Sequence, residues 1–240
     1  MRHMLLIYTD ESTDIAYGTP EWDQLMVEYG AFSAEVRRRG VMVHGDPLQS
    51  VQTATTLRLV NGQVALLDGP FAETREQLGG FYILDTRDTA EAVELAAMIP
   101  SAKRGSIEVR RMAGHEQRVL QPPTRLHYMV LLYGSEAHYY PPEDPRVKEG
   151  IAAHQRFTAE RIAHDEFVTG DALALTSSAV TVRVREGRTL CTDGPFAETR
   201  EQLGGFYILN VSDLDRAITL ARELGPQPNG CIEVRPIQEV

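Results

Sequence analysis

Carboxylate, amide and guanidinium side chains are concentrated in one segment that the chain carries twice. Asp68–Leu84 and Asp193–Leu209 share the sequence DGPFAETREQLGGFYIL, at an offset of 125 residues. A carboxylate in such a loop can act as an acid, a base or a ligand anchor. The two adjacent glycines remove side chains, which lets a ligand or another backbone come close. Nucleophilic catalysis from the loop is not indicated, because the polar part of the motif has no Ser, Cys or His.

Four polar residues of the repeated segment are candidates for ligand contact: Asp68, Glu73, Gln77 and Gln202. The alternative for each is a role in a well-specified turn, in which Asp68 bonds the backbone ahead of it. Glu73 would then form a solvated surface pair with Arg75. A third interpretation is that the loop only holds the two halves of the chain together. The identical sequences are compatible with all three roles.

One histidine is the candidate general base. His154 lies on a predicted helix whose apolar residues turn it toward a sheet, where burial would shift the pKa of its imidazole. Asp193 or Glu198 would supply the orienting carboxylate. The residue 125 positions earlier is Tyr29, a candidate ligand contact. A packed histidine satisfied by a single hydrogen bond is the alternative.

Composition and charge restrict the class of partner. The 240 residues carry a formal net charge of −10, which disfavours binding to nucleic acid or to an anionic membrane surface. No apolar stretch is long enough to span a bilayer, and the N-terminus lacks a signal-peptide core. The two cysteines, Cys191 and Cys231, have no metal-site spacing. No nucleotide-binding or metalloprotease motif is present, so we expect a cytoplasmic protein with a small-molecule ligand and neither metal nor cofactor.

The secondary structure that must position these residues also repeats. Apolar runs, helical spacing and capping residues predict the same order of elements in both halves. Asn61-Gly62 is a strong hairpin signal because both central residues accept positive φ, whereas the equivalent Glu186-Gly187 is weaker. The predicted elements of the first half are strand Met4–Tyr8, helix Pro20–Arg39, strand Val41–His44, strands Thr53–Val60 and Gln63–Asp68, strand Gly80–Leu84, helix Asp88–Met98 and strand Ser106–Met112.

This order predicts an α+β fold with a ferredoxin-like unit in each half, in which both helices pack on one face of an antiparallel sheet. The other sheet face must be covered, and two units in one chain can cover each other as an intramolecular dimer. We expect domains at residues 1–112 and 126–240, joined by a polar linker at 113–125 that contains Pro122-Pro123. Exposed strand edges could also pair between molecules and so form a further homo-oligomer.

The repeated segment carries a family resemblance. DGPFAETREQLGG followed by FYIL, with Ile107–Arg110 and Ile232–Arg235 (IEVR) closing the halves, resembles the DGPF-motif branch of the YCII-related domain family. The likeness covers residues 1–112 and 126–240. It implies a dimeric α/β-barrel, in which two ferredoxin-like units pack their sheets together. DGPF proteins also resemble those encoded near alternative sigma factors, which implies a regulatory association.

The wider YCII group resembles small acid–base enzymes with a His/Asp pair in a cleft. The resemblance implies that the position of this histidine is occupied by His154 in the second half and by Tyr29 in the first. No Asp matches the second position, where this chain has Ile99-Pro100-Ser101 and Leu224-Gly225-Pro226. The inherited pair is therefore incomplete in both halves.

Two functional hypotheses remain open from the sequence. One is an acid–base lyase or isomerase with its site in the second half and His154 as base. The other is a non-catalytic ligand-sensing or regulatory module, to which both loops contribute alike. The Tyr29/His154 difference favours the enzyme, and the identical loops favour the binding module.

Overall fold

The computed structural model describes residues 1–72, 74–114, 126–197 and 199–238. Glu73, Glu198 and most of the predicted linker at 113–125 lie outside these ranges. In the described part of the chain, no helix combines the length and apolar character needed to cross a membrane.

Each half has the predicted order of elements. The first half contains β1 (Arg2–Thr9), α1 (Pro20–Arg38), β2 (Met42–Pro47), β3 (Thr55–Val60), β4 (Gln63–Asp68), β5 (Gln77–Asp85), α2 (Thr89–Met98) and β6 (Ser106–Arg111). The second half contains β7 (Leu126–Gly134), α3 (Pro145–Ala163), β8 (Phe167–Ala172), β9 (Val180–Arg185), β10 (Arg188–Asp193), β11 (Gln202–Val211), α4 (Leu214–Leu224) and β12 (Gly230–Pro236).

Local signals in the sequence account for where the helices begin. The Thr19 side chain accepts a hydrogen bond from the backbone N–H of Trp22, and Pro20 occupies the first turn of α1. Asp88 caps α2 in the same way, by accepting from the N–H of Glu91. These side chains satisfy backbone donors that have no partner inside the helix.

Both hairpins turn through two residues with positive φ. The angles are 52° at Asn61 and 78° at Gly62, and 51° at Glu186 and 72° at Gly187. The weaker Glu-Gly signal therefore gives the same turn as Asn-Gly.

The hairpin of each half belongs to the sheet of the other half. The two sheets have the strand orders β10-β9-β6-β1-β5-β2 and β4-β3-β12-β7-β11-β8. Thr55 of β3 lies opposite Val234 of β12, and Val180 of β9 lies opposite Val109 of β6. The sequence did not predict this exchange, because turn signals identify a hairpin but not the strand beside which it packs.

The two sheets face each other and close into a barrel. Isolated bridges join Leu48 to Ile237 and Met112 to Leu173, and each bridge connects the end of a strand in one sheet to the other sheet. The tandem ferredoxin-like units therefore form the predicted intramolecular dimeric α/β-barrel. Apolar side chains of both halves fill the space between the sheets, among them Met4, Leu6, Phe81, Ile83, Met129, Leu131, Phe206 and Ile208. The helices cover the outer faces over two further clusters.

Candidate functional site

The two copies of the repeated segment meet between the sheets. Each loop leaves the last strand of an exchanged hairpin, β4 or β10, and enters β5 or β11 in the opposite sheet. Because the hairpins are exchanged, each loop must cross the interior of the barrel. This crossing brings both loops against the closing strands, β6 and β12.

Each loop is bound by a buried carboxylate of the other half. The backbone N–H of Phe71 donates to Glu233 Oε2 at 2.9 Å, and the N–H of Phe196 donates to Glu108 Oε2 at the same distance. A carboxylate that accepts a backbone N–H forms a charge-assisted hydrogen bond, which is stronger than a neutral one. The two halves are thus joined by a reciprocal pair of such bonds.

The aromatic rings of the loops repeat this reciprocity. Phe71 stacks on Tyr133 with ring centroids 3.7 Å apart, and Phe196 stacks on Tyr8 with centroids 4.4 Å apart. Burial raises the pKa of Tyr8 and of Tyr133 well above the usual value. The negative charge of Glu108 adds to this effect at Tyr8, and that of Glu233 adds to it at Tyr133. Both phenols therefore stay protonated and can donate hydrogen bonds.

The same carboxylates form buried ion pairs. Glu108 Oε1 lies 3.0 Å from Arg110 Nη1, and Glu233 Oε1 lies 3.2 Å from Arg235 Nη1. Residues two apart on a strand share a face, which is why both members of each pair point into the barrel. Burial raises the pKa of Glu233, and its bonds to Arg235 and to the loop N–H oppose that effect.

A polar cavity remains at the centre of this arrangement, and we name it the axial cavity. Equivalent residues of both halves line it, so it lies on the approximate twofold axis that relates them. Its enclosed volume is about 30 Å³, which is room for about two water molecules. The lining includes Tyr8, Tyr133, Phe71, Phe196, Thr74, Thr199, Gln77, Gln202, Glu108, Glu233 and Arg235.

Hydrogen-bonding groups of the axial cavity are left unused. The buried Nε of Arg235 has no partner in the described part of the chain. The hydroxyls of Tyr8 and Tyr133 likewise form no hydrogen bond to a described residue. Buried polar groups in native proteins are nearly always paired, so unused donors at one cavity indicate a place for an acceptor.

Gln77 and Gln202, predicted as ligand contacts, line the axial cavity but are already engaged. Gln77 Nε2 donates to the carbonyl oxygen of Thr74 at 2.6 Å, and Gln202 Nε2 donates to that of Thr199 at 2.8 Å. Their amides therefore shape the loops that form the wall of the cavity.

The predicted loop carboxylates are not brought into the cavity. Asp68 and Asp193 end β4 and β10, and both are exposed to solvent. Glu73 and Glu198 lie outside the described residues. Among the described residues, no group of three or more His, Cys, Asp and Glu side chains could hold a metal ion.

His154 faces the second sheet, away from the loops. Its Nδ1 lies 2.8 Å from the hydroxyl of Tyr207, and desolvation lowers the pKa of the ring although the residue keeps substantial exposure. Asp193 lies in the other sheet, on β10. The predicted His154–Asp193 contact is therefore absent from this structure, and a phenol takes the place of the carboxylate.

Tyr29 forms the equivalent contact in the first half, with a different partner. Its hydroxyl lies 2.6 Å from Ser101 Oγ, and burial raises the pKa of Tyr29. Ser101 belongs to the segment in which the family resemblance would place an Asp. An open groove of about 420 Å³ lies nearby, and Glu28 and Pro100 are part of its lining.

The residues that form the centre of the axial cavity were not predicted from the sequence. Tyr8, Tyr133, Glu108 and Glu233 were visible only as matches at the constant offset, inside strands that read as apolar. The useful signal was the Glu-x-Arg pattern of the closing strands, which places two opposite charges on one sheet face.

Comparison with known proteins supports the duplication. The model of the YCII-related domain matches residues 1–114 and again 126–240. The uncharacterized protein R00369 of Rhizobium meliloti (strain 1021) is 36% identical over 115 residues, which cover 47% of this chain and 93% of that protein. A crystal structure provisionally named a chlorite dismutase, TA0507, aligns over 99% of this chain and 94% of that one, with 9% identity and a TM-score of 0.49.

Proposed function

The chain belongs to the YCII-related domain family in both halves, and from that premise we propose that it binds a small molecule in the axial cavity. The observation that carries the proposal is the set of unused donors there: the Nε of Arg235 and the hydroxyls of Tyr8 and Tyr133. We also assign the chain to the DGPF-motif branch, on its two copies of the seventeen-residue segment, with domains at 1–112 and 126–240.

The chemistry of the cavity favours a ligand that accepts hydrogen bonds. Glu108 and Glu233 already bind an arginine and a backbone N–H, so the groups left over are donors. A carbonyl or carboxylate oxygen would satisfy them, with the loop phenylalanines as the apolar wall. This arrangement supports a ligand-sensing or regulatory module in which both loops take part.

The experiment that tests this function uses Tyr8→Phe and Tyr133→Phe together. These changes remove both hydroxyls and keep the stacked rings, so the protein should fold normally while affinity for its ligand falls by about tenfold or more. A thermal-shift screen of small carbonyl and carboxylate compounds would find the ligand, because a compound at a hundred times its Kd stabilises by about 2.7 kcal/mol. Isothermal titration would then compare the variants.

His154→Ala is the matched control. The axial cavity predicts that this variant binds the same compounds with unchanged affinity, because His154 lies on the outer face of the second sheet. Loss of binding in His154→Ala, with normal binding in the double tyrosine variant, would place the site at the helices and reject the proposal.

A second candidate function is an acid–base lyase or isomerase with His154 as base. One observation favours it: desolvation lowers the pKa of His154, so the ring is neutral and able to accept a proton at neutral pH. The Tyr207 hydroxyl would orient the ring through its hydrogen bond to Nδ1. Turnover of a bound compound by wild type, lost in His154→Ala, would establish this function.

A further inference from the structure

Two equivalent arginines contact the wall of the axial cavity and differ in their partners. Arg58, on β3, donates to both carboxylate oxygens of Glu201 at 2.7 and 2.8 Å, and to the carbonyl oxygen of Phe71 at 2.9 Å. Arg183, on β9, forms no hydrogen bond or ion pair to a described residue. Its guanidinium carbon lies 5.9 Å from the ring centroid of Phe196.

One difference between the halves accounts for the unequal partners. Glu76, the equivalent of Glu201, accepts a hydrogen bond from Ser106 Oγ at 2.8 Å. The equivalent of Ser106 is Cys231, whose sulfur lies 3.9 Å from Glu201 Oε2 and is a weak donor. Because the thiol satisfies Glu201 poorly, Glu201 pairs with Arg58. The Ser106 hydroxyl holds Glu76, which leaves Arg183 without an anion among the described residues.

The guanidinium of Arg183 is partly exposed and has no anionic partner among the described residues, so an incoming anion can bind it. Its planar fork matches the two oxygens of a carboxylate. The neighbouring ring of Phe196 belongs to the cavity wall, so an anion on Arg183 would lie next to the axial cavity.

We propose that Arg183 anchors the carboxylate of a small organic acid whose remaining atoms enter the axial cavity. The proposal rests on the proposed function, since it requires that cavity to bind a small molecule. Because Arg58 is already paired with Glu201, the chain binds one acid in one orientation, despite its near-symmetric halves.

The test compares Arg183→Gln with Arg188→Gln, which removes an exposed arginine from the neighbouring strand β10. The probes are acetate, propionate and glycolate, whose one or two heavy atoms beyond the carboxylate match the room in the cavity. Each is measured against its primary amide by isothermal titration at low ionic strength. Wild type should bind at least one acid more tightly than its amide, with a stoichiometry of one. Arg183→Gln should weaken binding of that acid by tenfold or more and leave binding of the amide unchanged, whereas Arg188→Gln should retain the preference for the acid.

Exchanging the serine and cysteine gives a second test. Ser106→Cys should free Glu76 to pair with Arg183 and thereby abolish the preference for the acid. Cys231→Ser should give Glu201 a hydroxyl donor and release Arg58 as a second anchor for the same cavity. The preference for the acid should then persist when Arg183→Gln is added to Cys231→Ser. Circular dichroism and thermal melts would confirm that these variants are folded.

The outcomes separate this inference from the proposed function. Binding that depends on Tyr8 and Tyr133 but not on Arg183 would keep the cavity as a binding site and overturn the carboxylate anchor. Failure of all three acids to bind wild type, or an unchanged acid preference in Ser106→Cys, would also overturn the anchor. Acid binding that needs Arg183 but neither tyrosine would instead reject the axial cavity.

Discussion

At the scale of single residues, the two halves use different side chains at equivalent positions while the backbone stays the same. The Ser106/Cys231 difference changes whether a glutamate of the loop pairs with an arginine, and the Tyr29/His154 difference replaces a half-buried phenol with an imidazole. The residues shared by both halves hold the loops, and those that differ make the halves chemically unequal.

His3 gives a prediction about pH at this scale. The residue is buried on β1, with Nδ1 2.7 Å from Thr86 Oγ1 and Nε2 3.1 Å from Thr89 Oγ1. Burial is the largest of the effects that lower the pKa of His3 below 6.5. The unfolded chain therefore binds a proton that the folded chain excludes, and stability falls as pH drops below about 6.5 toward the folded pKa.

We expect His3→Gln to reduce that loss, because the amide can bond both threonines and does not titrate. The measurement is the free energy of unfolding in urea between pH 8 and pH 5, for wild type and variant. His154, whose pKa is also lowered, contributes equally to both proteins and cancels in the difference. Parallel pH curves would show that His3 does not contribute.

At the scale of elements, the turn of each hairpin is set by its own residues, whereas its position in the fold is set by pairing with a distant strand. Asn61-Gly62 and Glu186-Gly187 set the turns from within the hairpin. The partner strands, β12 and β6, come from the opposite half. A hairpin can therefore be strengthened at its turn without changing where it packs.

The internal repeat supplies a matched pair of substitutions at these turns. Glu186→Asn should stabilise the protein by roughly 0.5 kcal/mol, because Asn tolerates positive φ better than Glu. Asn61→Glu should destabilise it by a similar amount. Urea denaturation of the two variants and wild type would measure both changes, and a Glu186→Asn variant less stable than wild type would refute the argument.

The order of elements could be predicted because its signals are local: apolar period, helix caps and turn residues. The exchange of hairpins could not be predicted, because Thr55 and Val234 are far apart in the chain and the sequence of neither strand identifies the strand with which it pairs. The candidate site divides in the same way. The repeated loop was evident, but Asp68 and Asp193 were chosen for their charge and proved exposed, whereas Glu108 was hidden inside an apolar strand.

At the scale of the whole molecule, the two halves are more closely joined than two domains on a linker. They share the core between the sheets, the two pairings of exchanged hairpins and the reciprocal bonds of Phe71 and Phe196 to buried glutamates. We therefore expect the covalent connection to be dispensable once the chain has folded.

A protease site placed within residues 115–125 tests this expectation. After cleavage, the two fragments should elute together at the position of the intact 26.8 kDa chain and separate only in denaturant. Size-exclusion chromatography with mass spectrometry would show the result. Fragments that part under native conditions would mean that the shared core and exchanged strands contribute little to association.

The exchange of hairpins also determines when the strands can pair during synthesis of the chain. Strand β3 pairs with β12, so Thr55 must wait for Val234 to be made. At about 5–20 residues per second, that delay is roughly 10 to 35 s. During this interval the first hairpin has no sheet to join, and β6 lacks its neighbour β9. The ribosome thus presents a half-built barrel with open strand edges, which is the stage at which a chaperone, or a second nascent chain, can bind it.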